Sequence, residues 1–209
     1  MTLAITVLAG GWSASCLDLR KLPGTVIGVN DSALYAPRVD IAVSMDRLWA
    51  EARYPTMVKM GKPLWLRKST LRNLDRLPEE ILRPYECDHT STVLSDERGH
   101  LNGTHSGFCA LNLAYQMRPT EIYLAGFDMH RGPRGEAHWF PQYHWVNKAH
   151  ATSVGRLAEW AGQFAGAARQ CLEAGISVYL IRGSAAVPPI AGFSVIDRKQ
   201  MEAQCSIAA

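Results

Sequence analysis

The 209-residue chain has no apolar run of about 18 residues or more, the length a membrane-spanning helix requires. Its opening, MTLAITVLAGG, is apolar but short and has no basic lead-in, so it reads as a first buried strand rather than a signal peptide. No CxxC occurs. The five cysteines, Cys16, Cys87, Cys109, Cys171 and Cys205, are scattered and odd in number. That pattern predicts reduced thiols in a cytoplasmic protein, most of them buried as small apolar residues. Charge of one sign is barely in excess: 22 Lys and Arg against 19 Asp and Glu give +3, with a pI near 8.6. The basic residues are dispersed, which argues against a nucleic-acid surface while suiting an anionic ligand. GxGxxG and Walker sequences are both absent, so neither a standard dinucleotide site nor a P-loop is expected. Internal repeats and low-complexity tracts are lacking as well.

What is present is a regular grammar. Short apolar runs end on small or polar residues: 4–10 on Gly10-Gly11-Trp12-Ser13, 25–30 on Asn30-Asp31-Ser32, and 40–46 on Asp46. The same holds for 63–69, ending on Arg67-Lys68-Ser69, for 121–128, ending on Asp128, and for 176–184, ending on Arg182-Gly183-Ser184. Runs that are apolar throughout, rather than alternating, belong to strands covered on both faces. Two helices are well marked. Residues 106–117 place Phe108, Leu111, Leu113, Ala114 and Met117 behind Ser106 as a cap. Residues 152–174 place Leu157, Trp160, Phe164, Ala168, Cys171 and Leu172 at spacings of three and four, with Thr152 or Ser153 to begin and Gly175 to end. The expectation is an α/β fold: an open, mostly parallel, Rossmann-like sheet with helices on both faces, forming a single nucleotide-binding domain over 1–209. Residues 70–103 lack a clear regular pattern and are expected to wrap around the sheet. Residues 129–150 are long for a structureless connection and read as a lid-like loop.

In such sheets ligands bind beyond the carboxyl ends of the strands, so the polar strand endings mark one rim. Gly10 and Gly11 allow a tight turn that leaves amides and the Ser13 hydroxyl to face an anion. Asn30 and Asp46 suit a base, a ribose or a divalent ion, and suit helix capping equally. Thr104, His105, Ser106 and Gly107 stand at a helix start, where the dipole and unpaired N–H groups favour negative charge. Asp128 ends the next strand on the same rim. The 129–150 loop carries His130, His138, His144 and His150 among Trp139, Phe140, Tyr143 and Trp145. No pair has an i, i+4 helical spacing or an accompanying cysteine pair, which argues against zinc. One of these histidines suits general acid–base work, and Tyr143 suits a hydrogen bond to a leaving phosphate.

The segments TVLAGGWSASCLDLRKLPGTVIGVND and NGTHSGFCALNLAYQMRPTEIYLAGFDM resemble the bacterial sialyltransferases of glycosyltransferase family 42. They also resemble the related domain-of-unknown-function-115 group, which includes flagellin-glycosylation factors and an archaeal 6-hydroxymethylpterin pyrophosphokinase. That resemblance implies a transferase with a nucleotide-sugar donor as substrate. Gly10, Gly11, Ser13, Asn30, Thr104, Ser106 and Gly107 would hold the nucleotide and its phosphate, His144 or His150 would act as base, and Tyr143 would assist phosphate departure. The sialyltransferases need no metal and no other cofactor. On the pyrophosphokinase branch Asp46 and Asp128 would engage Mg²⁺. The chain departs from the pattern at His105, inside the Thr-Ser-Gly motif, and at Gly11, where the sialyltransferases carry asparagine. A non-catalytic module that binds or sequesters a nucleotide or sugar is the alternative from another class. Self-association into a homo-oligomer is left open by the sequence.

Overall fold

A computed structural model describes residues 3–73, 79–141, 153–182, 190 and 192–208. Eight strands form one sheet in the order β5-β4-β3-β2-β1-β6-β7-β8. They are β1 (Ala4–Leu8), β2 (Thr25–Val29), β3 (Ile41–Ser44), β4 (Leu64–Arg67), β5 (Leu82–Tyr85), β6 (Glu121–Ala125), β7 (Ser177–Arg182) and β8 (Ser194–Asp197). All seven ladders are parallel. The helices are α1 (Ser32–Tyr35), α2 (Arg47–Met60), α3 (Ser106–Gln116), α4 (Val154–Glu173) and α5 (Arg198–Ala208). This is the open Rossmann-like α/β arrangement expected from the sequence.

Both faces of the sheet are apolar because both are covered. Ile5, Val7, Ile27, Val29, Val43, Ile122 and Leu124 turn toward Phe108, Leu111 and Phe164 of α3 and α4. The intervening residues Leu8, Val26, Ala42, Tyr123 and Ala125 pack with Ala33, Trp49, Met57 and Met201 of α1, α2 and α5. Every residue of α3 from Ser106 to Tyr115 is buried. One side of that helix lies on β1, β2 and β3. The other is strapped by residues 86–103, fastened through two amide side chains. Asn112 Oδ1 accepts from the N–H groups of Ser95 and Asn102 at 2.9 and 2.8 Å, and its Nδ2 donates to Ser95 O. Gln116 Nε2 donates to the carbonyls of Ser95, Glu97 and His100.

Several expectations change in detail. β1, β2, β3 and β6 stop short of the polar residues that end their apolar runs, whereas β4 and β7 run on to Arg67 and Arg182. The 70–103 region contains a regular element, β5, whose Pro84 is tolerated because the strand is an edge. The cap of α3 is His105 rather than Ser106, with Phe108 N–H donating to His105 Nδ1 at 3.3 Å. Ser153 caps α4, and Gly175 follows it with φ +74°. No helix among the described residues is long and apolar enough to cross a membrane.

Candidate functional site

The direction of strand addition reverses between β1 and β6, so the crevice at their carboxyl ends is where a Rossmann-like sheet ordinarily receives a ligand. Here the chain fills that crevice itself. Gly11 N–H donates to Gly126 O at 2.8 Å, and Ala9 N–H to Ala125 O at 2.8 Å. Asp128, 2% exposed, accepts from the Ser13 backbone N–H at 2.7 Å and from the Ser13 hydroxyl. The turn amide expected to meet a ligand anion therefore meets the protein's own carboxylate. Over Gly10 lies the 136–140 segment. Trp139 donates from its backbone N–H to Gly10 O at 3.0 Å and from its indole to Ala9 O at 3.1 Å. Phe140 stacks between His138 and Tyr35, with ring centroids 5.0 and 5.4 Å away.

The other two rim carboxylates are likewise engaged. Asp46 caps α2, accepting from Leu48 and Trp49 N–H. Asp31, fully buried, takes both the Trp49 indole N–H at 2.7 Å and a two-pronged contact from Arg53 at 3.1 and 3.0 Å. Among the described residues no group of three His, Cys, Asp or Glu side chains is placed to hold a metal ion. Asp46 and Asp128, the expected Mg²⁺ ligands of the pyrophosphokinase branch, serve the fold instead.

The start of α3 is built into the same rim. Ser106 Oγ accepts from Met45 N–H, just past β3, at 3.1 Å, so this hydroxyl is used inside the protein. The Thr104 hydroxyl bonds to Gln163 of α4. Gly103 and Gly107 are required by packing: a methyl group on Gly103 would come within 2.8 Å of Phe108, and one on Gly107 within 3.1 Å of Phe127. The His105 ring lies against Trp160, Phe108 and Phe164, with the Trp160 centroid at 4.5 Å. Desolvation there pushes its pKa down to about 3, so the imidazole is neutral. Because Nδ1 accepts from Phe108 N–H, the ring proton sits on Nε2.

The unsatisfied polar atoms at the rim outline the candidate site. Asn30 Oδ1, Ser32 Oγ, Arg67 Nε, His105 Nε2 and His130 Nε2 are buried atoms with no hydrogen-bond partner among the described residues; Asn102 Oδ1, in the 86–103 strap, is another such atom away from the rim. Asn30 and Ser32 follow β2, Arg67 ends β4, His105 begins α3, and His130 follows β6. All five therefore belong to segments at the carboxyl ends of the strands. Leaving such an atom unpaired costs on the order of 1–3 kcal/mol. Asn30 is held in place for this: it adopts φ +51° and its N–H donates to Val43 O at 3.1 Å. The set is mixed in character. Arg67 Nε and His105 Nε2 present protons. His130 Nδ1 meets Arg131 O at 2.7 Å and must donate there, which makes Nε2 an acceptor in the neutral ring.

Of the residues expected from the sequence, Asn30 and His105 belong to this unsatisfied group. Gly10, Gly11, Ser13, Asp128, Asp46, Thr104, Ser106 and Gly107 lie on the rim but hold it together. Tyr143, His144 and His150 lie outside the described residues. Ser32 and Arg67 were not singled out as site residues, and His130 was named only as one of four loop histidines suited to acid–base work. Ser32 and Arg67 each end one of the apolar runs, so the strand-end signal that chose Asn30 also pointed to them.

Fold and rim together define a Rossmann-like protein whose unpartnered polar atoms lie in segments away from the switch point. No protein-family model matches the chain, and no curated protein matches it. Among solved structures it is similar to a short-chain dehydrogenase from Streptomyces avermitilis, at 13% identity and TM-score 0.30, over 93% of this chain and 72% of that one. It is also similar to acetoin dehydrogenase from Enterobacter cloacae, at 12% identity and TM-score 0.32, over 100% of this chain and 89% of the other. Both are oxidoreductases. Neither matches the nucleotide-sugar glycosyltransferase expected from the sequence, and that expectation is withdrawn together with its pyrophosphokinase alternative. At these TM-scores neither dehydrogenase lends its own activity to this chain.

Proposed function

We propose that the protein binds a small anionic ligand of the nucleotide class at the carboxyl rim between β2, β4 and the start of α3. One observation carries the reading: buried, partnerless polar atoms of Asn30, Ser32, Arg67, His105 and His130 all occur in rim segments. A phosphate answers the cationic Arg67 and the N-terminal dipole of α3. A ribose hydroxyl, which both donates and accepts, answers His130 Nε2 and the Asn30 amide. At the switch point the turn amide and hydroxyl that would meet a dinucleotide pyrophosphate are engaged by Asp128, and Trp139 is bonded over the turn. The resemblance of the two sequence segments to the domain-of-unknown-function-115 group is retained within this proposal, without its transfer chemistry.

Thermal-shift and calorimetric titrations against CMP, CDP, UDP, GDP, ADP, ATP and NAD, each with and without Mg²⁺, test it. A ligand at a hundred times its Kd raises stability by about 2.7 kcal/mol, a readily visible shift. One mononucleotide should bind while NAD does not. Arg67→Ala should weaken that binding at least roughly tenfold, the usual worth of a hydrogen bond to a charged group. Silence from every mononucleotide, or binding indifferent to Arg67→Ala, removes the proposal.

A further inference from the structure

On the far side of α3 from β1, two thiols face one another. Cys87 leaves the edge strand β5 and is half-buried, whereas Cys109 sits in the first turn of α3 and is fully buried. Their sulfurs are 3.9 Å apart, and both lie within reach of one carbonyl, Gly103 O, at 3.6 and 3.9 Å. The other described thiols differ. Cys16 is half-buried with the Ser15 hydroxyl as its neighbour, and Cys171 is buried in the apolar core.

We propose that Cys87 and Cys109 are a thiol–disulfide exchange site, closed to an intramolecular disulfide by small-molecule disulfides of the glutathione type. The Cys87 thiolate attacks one sulfur of the small disulfide, releasing one thiol and leaving a mixed disulfide on Cys87. Cys109 then gives up its proton to solvent, and its sulfur attacks that of Cys87 and expels the second thiol. Two protein thiols are oxidised and one small disulfide is reduced to two thiols, so the exchange balances without a further oxidant.

The order of events follows from the surroundings. A hydrogen bond from the Cys109 thiol, aided by the nearby Arg67 charge, holds the Cys87 pKa below its ordinary value. The same hydrogen bond and burial push Cys109 up, so Cys87 is the first nucleophile and Cys109 the resolving thiol. Closure ties the 86–103 strap covalently to the helix it covers.

The test treats the purified full chain with oxidised glutathione at neutral pH, followed by intact mass and peptide mapping. The wild type is expected to lose two hydrogens and yield a joined Cys87–Cys109 peptide, reversed by dithiothreitol. Cys109→Ala should instead accumulate one glutathionyl group on Cys87. Cys87 should also be consumed at least tenfold faster than Cys16, which has no thiol neighbour among the described residues. A wild-type protein in which Cys109 stays free to alkylation after unfolding, with Cys87 either untouched or left as a lasting mixed disulfide, overturns the proposal. That result needs no variant, so a misfolded Cys109→Ala cannot obscure it.

Discussion

Gly11 shows how closely single residues are constrained at the switch point. Its N–H reaches Gly126 O, and a methyl group on its Cα would stand 2.4 Å from that oxygen and 2.7 Å from the Asp128 carboxyl carbon. Gly126 itself has φ +69°, and a side chain there would meet Ala9 O at 2.6 Å. Neither backbone can retreat, because each is tied into the β1–β6 ladder. Gly11→Ala is therefore expected to cost about 3 kcal/mol or more, the upper range for overpacking. For a chain of this size that is a fall in Tm of roughly 6–12 °C. Gly155→Ala in α4, with no heavy atom near the added methyl, is the control and should be neutral or slightly stabilising. Differential scanning calorimetry of the two variants decides the matter; equal effects would show that the interlock is not tight. The need for glycine here was legible in the sequence, since a Gly-Gly turn after an apolar run signals close backbone approach. Its partner was not. Asp128 lies 115 residues beyond Ser13, and nothing local says that its carboxylate fills the turn that the glycines open.

At the level of elements, α3 was the clearest reading and still hid its main polar role. Its apolar positions were unmistakable, whereas Asn112, among leucines, carries no signal of its own in a single sequence. In the structure Asn112 is fully buried and holds three backbone groups of the strap. Asn112→Ala leaves the N–H groups of Ser95 and Asn102 without partners, while Ser95 O keeps Gln116 Nε2, and is expected to cost about 3 kcal/mol. The loss should be felt first in the strap. Amide exchange within residues 86–103 should accelerate well beyond that of β1 and β6, and uniform acceleration across the sheet would refute the strap's dependence on this side chain. The elements that escaped the sequence reading have physical reasons to do so. The α2 helix carries Pro55 in its interior and buries only Trp49, Ala50 and Met57 of its fourteen residues, so it lacks a continuous apolar stripe. The β5 and β8 strands are four-residue edges that bury one residue each, and their sequences, LRPY and SVID, are too short to show a period. Interior strands, covered on both faces, declare themselves; edges are made by their neighbours.

For the molecule as a whole, the same desolvation that keeps His105 neutral sets the response to acid. In the unfolded chain a histidine takes up a proton near pH 6.5, whereas folded His105 resists protonation until about pH 3. Between those values the unfolded state binds the extra proton, so stability is fully present above pH 6.5 and drains away as pH falls toward 3. His138 works in the same direction, its pKa lowered by burial against the β1 turn. The slope attributable to His105 approaches about 1.4 kcal/mol per pH unit once the unfolded histidine is titrated. Stability should therefore begin to decline near pH 6.5, well above the range in which carboxylates protonate. Urea unfolding at pH 7.5, 6.5, 5.5 and 4.5 measures this, and His105→Asn supplies the comparison, because asparagine keeps an acceptor for Phe108 N–H but does not titrate. The variant will be less stable at neutral pH, having lost the ring packed on Trp160 and Phe164, yet its decline between pH 6.5 and 4.5 should be shallower by up to one proton. Parallel curves for the two proteins would mean that the folded imidazole is protonated as readily as in water. The neutral, proton-donating His105 of the ligand rim would then fall with it.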